Sequence, residues 1–323
     1  MMPIRFSLKS TTDLANIFNR QLRNTTVLAL ETGNIQGYVD VLPLPNLRIY
    51  RIKLNRKIAL CADRSSEKRI FSIDLSPISH SDCIQAQGIS LTQPALFGFN
   101  YNLKDMDLVL PASSSMCAIA VSDDFLLSQL MRFECIEALG ILESFNVLSN
   151  SSISSDLVTV LGQCWSAPRP FLDSVIENEL IVALIQCLVD TSELKVSRPA
   201  SRQDRHNAAL RFLKTTFLEP TKAFDVQELS NLLYQSRTSI FSGCKEKFGM
   251  SPIQVSRSVR LHQVRHALLD YEFSELHNLN GVVDTAEYFG FVGRSHFARH
   301  YKKEFMETPR QTLTLRRKNG RII

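Results

Sequence analysis

The chain has 323 residues, of which 44% are hydrophobic and 21% are charged, a composition typical of a globular protein long enough for two domains. No apolar run reaches the roughly 18 residues that a membrane helix needs, and the N-terminus lacks a secretory signal pattern, so we expect a cytoplasmic protein. Seven cysteines without a CxxC pair argue against a disulfide framework and against a zinc knuckle.

The net charge of +5 is unevenly distributed along the chain. From Arg202 to the C-terminus there are 20 Lys and Arg against 12 Asp and Glu, whereas residues 1–201 contain 17 against 20. Six of the seven histidines also lie in the C-terminal part. Such a distribution indicates a polyanion partner for this part, although charge alone leaves a solvated basic face as the alternative.

Residues 25–121 are predicted to be rich in strands, because apolar and polar residues alternate in several short runs. The predicted strands are Leu47–Leu54, Lys57–Cys61, Arg69–Leu75, Ala95–Leu103 and Met116–Val121. The sequence GNIQG at Gly33–Gly37 is interpreted as a hairpin turn rather than a phosphate-binding loop.

Helical periodicity begins after Ser122, a predicted N-cap, and a strongly apolar helix is predicted over Phe171–Val189. This helix has more apolar surface than one buried face requires, which predicts a dimer interface that includes Ile181 and Leu184. The polar stretch Thr191–Asp204 contains Pro199 and has no periodicity, as is typical of a linker. We therefore predict a domain at residues 1–190, a linker at 191–203 and a second domain at 204–323.

The second domain is predicted to be a series of helices, several of which begin at recognisable capping residues. Asp225 and Glu228 form a predicted capping box, Ser236 is the N-cap of the next helix, and Ser251 with Pro252 begins a long helix that is predicted to continue to Tyr271. A short helix, a turn and a second helix occur twice, at Val226–Phe248 and at Val282–Phe305. This duplication predicts two helix-turn-helix units joined by the long helix.

In the last unit the aromatic and basic residues fall on different faces of one helix. Phe297, Tyr301 and Phe305 recur every four residues and are predicted to be buried. The polar residues between them then face outward, as a recognition helix in a major groove requires. The predicted DNA contacts of this unit are Arg294, Ser295, His296, Arg299 and Lys302; those of the first unit are Arg237, Thr238, Ser239, Ser242 and Lys245.

The stretch VVDTAEYFGFVGRSHFARHYKKEFMETP resembles the second helix-turn-helix of the arabinose-regulator (AraC/XylS) family. The residues that agree with the family pattern are Ala286, Gly290, Phe291, Ser295, His296, Phe297, Arg299, Lys302, Phe305, Thr308 and Pro309. The first unit is similar but agrees less closely, and the resemblance covers about Ala208–Arg317. It implies a transcriptional regulator, an activator that contacts RNA polymerase.

The chain also departs from the family pattern. Tyr234 and Gln235 replace the usual Gly and apolar residue in the first turn, so a left-handed turn there would be strained or replaced. Gly243 and Cys244 stand where larger residues are common, and Met306 replaces a usual Gly. Together with the C-terminal sequence PRQTLTLRRK, these features resemble the ethanolamine-operon regulator branch.

The sequence also bears on three other functions, which are metal binding, catalysis and RNA binding. His262 with His266, and His296 with His300, have the spacing of paired metal ligands, but no third ligand is evident, so neither a metal nor a cofactor is predicted. A catalytic N-terminal domain tethered to a DNA-binding domain remains the alternative function, since residues such as His80 and Asp82 could converge without a motif. RNA binding is disfavoured because no exposed aromatic strand platform is evident.

The predicted fold class is therefore α+β, with a strand-rich N-terminal sensing domain followed by an all-α domain of two helix-turn-helix units. The predicted function is sequence-specific binding of double-stranded DNA by a non-enzymatic regulator, in one copy or as a homodimer, under control of an unknown small-molecule effector. The predicted effector-binding residues are Phe97, Phe99 and Tyr101, whose alternation would place them on one side of a strand.

Overall fold

The N-terminal part of the protein contains two antiparallel sheets and five helices within the residues that can be described. The computed structural model describes residues 3–64, 67–76, 83–91, 95–149, 151–165, 173–189, 195–197, 204–222 and 225–319. The strands are β1 (Ile4–Leu8), β2 (Arg23–Ala29), β3 (Gly37–Pro43), β4 (Leu47–Leu54), β5 (Ile58–Asp63), β6 (Lys68–Asp74), β7 (Gln85–Ala86), β8 (Ile89–Ser90), β9 (Ala95–Phe97), β10 (Asp105–Leu110), β11 (Ser115–Ser122), β12 (Val147–Ser149) and β13 (Lys195–Ser197).

The helices divide into an N-terminal set and a C-terminal set. The N-terminal helices are α1 (Thr11–Phe18), α2 (Asp123–Arg132), α3 (Ala138–Ser144), α4 (Ser151–Gln163) and α5 (Asp173–Val189). The C-terminal helices are α6 (Asp204–Leu218), α7 (Val226–Leu232), α8 (Arg237–Phe248), α9 (Pro252–Leu269), α10 (Tyr271–Leu276), α11 (Val282–Tyr288), α12 (Arg294–Phe305) and α13 (Pro309–Asn319). The fold class predicted from the sequence is confirmed.

One sheet has the strand order β1-β3-β4-β11-β6-β9-β12-β13 and the other has the order β2-β5-β10-β7-β8. Side chains on a strand alternate between the two faces of its sheet, so a strand that is covered on both sides supplies two cores. On β11, Met116 and Ala118 belong to the core that includes the second sheet, whereas Cys117 and Ile119 pack with α2–α5. The larger sheet is therefore covered on both faces.

Two features of the predicted N-terminal strands are wrong. The segment Gly33–Gly37 joins β2 to β3, but these strands lie in different sheets, so it is a crossover and not a hairpin turn. The predicted strand Ala95–Leu103 ends at Phe97, because Gly98 adopts a left-handed conformation with φ of 86° that interrupts the strand.

The apolar surface of α5 is covered within one protomer. Ile181 is 1% exposed and Leu184 is fully buried, and both pack with residues of α3, α4 and the larger sheet. The prediction that these two residues form an exposed dimer stripe is therefore wrong. It arose because α5 is surrounded on several sides, which requires apolar residues around most of its circumference.

The predicted linker lies only partly within the described residues. Within it, β13 pairs with β12 and so extends the larger sheet, and α6 begins at Asp204. Residues 190–194 and 198–203 lie outside the described residues, so the division at residues 190 and 204 stays a prediction.

The C-terminal helices begin and end largely where their caps indicate. Asp225 and Glu228 form the expected capping box at α7, and the Ser236 side chain accepts a hydrogen bond from the Ser239 amide at α8. Ser251 caps α9, with Pro252 at its first position. The predicted long helix is shorter, because the Asp270 side chain accepts a hydrogen bond from the Phe273 amide and begins α10 instead.

The two helix-turn-helix units differ in the cores to which they contribute. Phe212 of α6 and Ile240 of α8 belong to the same apolar core as the N-terminal sheets. Leu261 and Val264 of α9 instead form a separate core with the buried aromatics of α12. The first unit is thus packed as an extension of the N-terminal domain, whereas the second has its own core.

Gly243 explains how closely α8 approaches α6. A Cβ atom at this position would lie 1.8 Å from the Arg205 carbonyl oxygen, which is far inside van der Waals contact. The unusual glycine in the first unit is therefore required by the backbone of a neighbouring helix.

We expect Gly243→Ala to destabilise the protein by about 1–3 kcal/mol, because the new methyl group forces α6 and α8 apart. Gly140→Ala is the matched control, since Gly140 is also helical and a Cβ atom there would meet no other atom within 4 Å. That control is expected to stabilise by about 0.5–1 kcal/mol through the helix preference for alanine. Urea unfolding of both variants measures the difference, and equal effects would contradict the close packing.

Candidate nucleic-acid interface

In the second unit, α12 has one face of buried aromatic residues and another of exposed, mainly basic residues. Phe297, Tyr301 and Phe305 on α12 are buried, with ring centroids 5.6 Å apart for the first pair and 4.6 Å for the second. Burying each such ring contributes about 1.5–3 kcal/mol. The five residues of α12 that were predicted to face DNA are all exposed: Arg294, Ser295, His296, Arg299 and Lys302.

The buried tyrosine of α12 is tied to the last helix. The Tyr301 hydroxyl lies 2.8 Å from Thr312 Oγ1 on α13, so its polar atom is satisfied within the core. Burial raises the pKa of Tyr301, and the group stays neutral. α13 thereby supports α12 from the side opposite to its exposed residues.

The exposed face of α12 is positively charged. Within the described part of the chain, neither Arg294 nor Lys302 forms an ion pair with a carboxylate. Arg299 Nη2 donates a hydrogen bond of 3.0 Å to His296 Nδ1. Desolvation, followed by the charge of Arg257, lowers the pKa of His300, so this histidine is neutral near pH 7. Arg294, Arg299 and Lys302 supply positive charge on this face.

The first unit exposes fewer of its predicted residues. Arg237, Thr238 and Lys245 of α8 are exposed, whereas Ser239 and Ser242 are half-buried. The Ser239 amide and hydroxyl are also occupied by the N-cap Ser236. This helix therefore offers a smaller polar surface than α12.

The turns of the two units use left-handed residues at corresponding places. Tyr234 in the first turn has φ of 51° and Gly290 in the second has φ of 73°. At the ends of the recognition helices the glycine is instead in the first unit, where Gly249 has φ of 69°. The larger residue is in the second unit, where Met306 has φ of 58°. The left-handed turn is kept in the first unit despite Tyr234, at the steric cost of a side chain in this region.

We expect Tyr234→Gly to stabilise the first unit by about 1 kcal/mol, because the left-handed conformation is strained for tyrosine and 94% of this side chain is exposed. Gly249→Ala is the reciprocal control, as an added Cβ atom would meet no other atom within 4 Å and only the backbone conformation opposes the change. It should destabilise by a similar amount, about 1 kcal/mol. A lower thermal midpoint for Tyr234→Gly would contradict this interpretation.

A buried ion pair attaches the end of α8 to the N-terminal domain. Lys247 Nζ lies 2.7 Å from Asp107 Oδ1 on β10, and the two side chains are 4% and 0% exposed. His206 Nε2 on α6 lies 2.9 Å from the other carboxylate oxygen of Asp107. Sequence reasoning missed this cluster, since Asp107 is 99 residues from His206 and farther still from Lys247, and none of the three belongs to a local motif.

Hydrogen bonds and one ion pair attach the second unit to the N-terminal domain. The Gly33 amide donates to the Glu304 carbonyl oxygen at the end of α12. Arg265 Nη1 donates to the Lys9 carbonyl oxygen at 2.6 Å. Further contacts join Asn34 to Glu307, Thr12 to Gln263 and Asp13 to His266.

The predicted effector-binding residues are not brought together. Phe97 is buried in the core that includes both sheets, and Phe99 is buried in the core beneath α2–α5. Tyr101 is 58% exposed. The three side chains therefore do not share one face, because the left-handed Gly98 breaks their alternation.

A cleft of about 310 Å³ lies instead where α6 meets β2, β5 and β10. Its lining includes Thr26 and Cys61 and also Asp63 and Lys214, whose Oδ2 and Nζ atoms lie 2.6 Å apart. The cleft is therefore lined by strands of the smaller sheet and by α6.

The first pair, His262 and His266, packs within the fold. The His262 ring packs edge-on against Phe305 at 4.9 Å, and His266 lies 3.4 Å from Asp13. Within the described ranges, no group of three or more His, Cys, Asp or Glu side chains could hold a metal ion. His80 and Asp82 lie outside the described residues. Among those same ranges, no helix is long and apolar enough to cross a membrane.

Comparison with known proteins identifies the C-terminal helices. Residues 229–315 match the family model described as a helix-turn-helix domain. The regulatory protein HrpB of Ralstonia nicotianae is 39% identical over 69 residues, which are 21% of this chain and only 14% of HrpB. The C-terminal domain is an AraC-type helix-turn-helix domain.

Two solved structures are also similar to the chain. A probable AraC family transcriptional regulator from Rhodopseudomonas palustris is 26% identical and covers 34% of this chain and 97% of its own, with a TM-score of 0.31. ToxT from Vibrio cholerae is 12% identical and covers 90% of this chain and 96% of its own, with a TM-score of 0.30. The resemblance to the ethanolamine-operon branch stays a prediction.

We expect Lys247→Met to destabilise the protein by about 3 kcal/mol, because it leaves the buried Asp107 carboxylate without its closest cation. The double variant Asp107→Asn, Lys247→Met removes both charges and should recover most of that loss. Lys245→Met is the matched control, as this lysine lies on the same helix and is exposed. Denaturant unfolding distinguishes them, and a double variant no more stable than Lys247→Met would contradict the charge-pair explanation.

Proposed function

We propose that this protein is a sequence-specific regulator of transcription that binds double-stranded DNA through both units of its AraC-type domain. The observation that carries the proposal is the exposed basic face of α12, held by three buried aromatics. A helix anchored in this way can enter a major groove without losing its core contacts. Fixed orientation and free positive charge are together what base and phosphate recognition requires.

The two units contribute unequally to this binding. Arg294 at the start of α12 is the expected base-reading residue, while Arg299 and Lys302 are the expected phosphate contacts. On α8 the contribution comes from Arg237, Thr238 and Lys245, with Ser239 and Ser242 less accessible. We therefore assign most of the sequence preference to the second unit.

The N-terminal domain would regulate this binding by its contacts with both units. An effector in the cleft beside α6 would contact Lys214 and Asp63. Because α6 shares an apolar core with α8, such a ligand would affect the first unit. The family resemblance implies that the protein activates transcription by contacting RNA polymerase. Binding as a homodimer stays a prediction, and its interface would have to lie elsewhere than Ile181 and Leu184.

The direct experiment is footprinting of the full chain on the genomic DNA that flanks its own gene. A protected site that spans two successive major grooves is the expected result. Absence of any sequence-dependent protection, at low and at physiological salt, would overturn the proposed function. Transcription from a promoter that contains the footprint then tests activation against repression.

We expect Arg294→Ala to relax the preference at one base pair, at a cost of about 1–3 kcal/mol. Lys302→Ala should instead weaken all sequences alike and reduce the salt slope of binding by about one. Lys53→Ala, which removes an exposed charge from β4, is the control for net charge. Affinities measured on a library of single-base variants at several salt concentrations separate the three, and an unchanged preference for Arg294→Ala would count against direct readout.

A further inference from the structure

The helix α9 belongs to both units. Val255 and Val259 in its first half pack in the core of the first unit, and Leu261 and Val264 in its second half pack in the core of the second. The relative orientation of the two recognition helices therefore depends on how the second unit is seated on α9. The contacts of α9 with the two ends of α12 contribute to that orientation.

Arg260, at the point where α9 passes from one core to the other, contacts the turn of the second unit. Its Nη1 atom donates to the Gly290 carbonyl oxygen at 3.3 Å. Its guanidinium carbon lies 5.1 Å from the centroid of the Phe291 ring. Burial, more than the nearby charge of Arg257, lowers the pKa of Arg260, which fits a guanidinium held against the protein rather than in solvent.

The turn transmits this contact to the recognition helix. The Phe291 ring lies 5.1 Å from the ring of Phe297, the first buried anchor of α12. Gly290 has φ of 73°, so a left-handed turn shortly before α12 sets the direction of its carbonyl group. Arg260 thus contacts the N-terminal end of α12 indirectly, through Gly290 and Phe291.

The other end of α12 is held by the same helix. Ser258 Oγ donates to Glu304 Oε1 at 2.7 Å, and His262 Nε2 lies 3.6 Å from the same oxygen. Ser258 and His262 are one helical turn apart, so they lie on one face of α9. Besides the shared core, α9 therefore contacts the second unit at both ends of α12, at the preceding turn through Arg260 and at the last turn through Ser258 and His262.

We infer that Arg260 is a positioning residue that sets the spacing between the two DNA segments read by the two recognition helices. The inference rests on the proposed function, since it assumes that both helices read DNA. A guanidinium both donates along a fixed direction and stacks on a ring, whereas an ammonium or a thioether does not reproduce this pair of contacts. Loss of Arg260 frees the angle of α12 while leaving its DNA-facing side chains intact.

The test uses the full chain and DNA duplexes in which the two half-motifs of its footprint are separated by zero, one or two added or removed base pairs. Each added base pair turns one half-motif relative to the other, so a rigid pair of helices tolerates little change. For the wild type we expect a loss of about tenfold or more per base pair. For Arg260→Met we expect a loss of less than about threefold, with weaker binding at the preferred spacing.

Arg257→Met is the matched control, because it removes the same charge from α9 one turn earlier. It should keep the spacing profile of the wild type, and both variants should keep the wild-type affinity for the second half-motif alone. If Arg260→Met does not fold, Arg260→Lys replaces it, since lysine keeps the charge and most of the side-chain length without the directed contacts.

A wild-type spacing profile in the Arg260 variant would overturn the inference and leave the proposed function intact. The same relaxation in Arg257→Met would also overturn it, since charge alone would then explain the effect. A wild-type chain without any footprint would overturn the proposed function, and the inference with it. Relaxed spacing in the Arg260 variant alone supports the assignment.

Discussion

The Asp107 carboxylate has no exposure to solvent, and its partners Lys247 and His206 come from α8 and α6, outside the N-terminal sheets. A buried carboxylate that loses its cation costs several kcal/mol. Separation of α8 from the N-terminal sheets would therefore have to hydrate or protonate Asp107. The apolar residues around it, among them Ile240 and Phe212, are shared between the two parts of the chain. The first unit is consequently a fixed part of the N-terminal domain, and everything that follows α8 is positioned from there.

The second unit is attached by interactions of a different kind. Its aromatic core is its own, and the N-terminal domain contacts it through hydrogen bonds and one ion pair, such as those of Gly33 and Arg265. These hydrogen bonds are partly buried, and each contributes about 0.5–1.5 kcal/mol, less than a buried carboxylate loses with its cation. The two units thus differ in how firmly the N-terminal domain holds them. A signal that reaches the polar contacts can alter the second unit without disturbing the first.

How much could be predicted from the sequence depends on the range of the interaction concerned. Caps such as those of Ser236 and Ser251 depend on residues three positions apart, and the buried aromatics of α12 depend on one helical period, so both could be predicted. Gly243 and Asp107 acquire their roles from segments far away in the chain, and nothing in their neighbourhood indicates a partner. The alternation of Phe97 with Phe99 failed for a local reason, because Gly98 takes a conformation that the pattern does not encode.

The close contact between the two domains also affects how the chain folds during its synthesis. Thr12 pairs with Gln263 and Asn34 with Glu307, at sequence separations of 251 and 273 residues. Contacts of such separation form late, because the intervening loop must first be closed. During synthesis the sheet containing β2, β5 and β10 emerges long before α6 can cover it, and uncovered apolar strands favour aggregation. The N-terminal domain therefore emerges from the ribosome with part of its apolar surface uncovered until the last third of the protein has been synthesised.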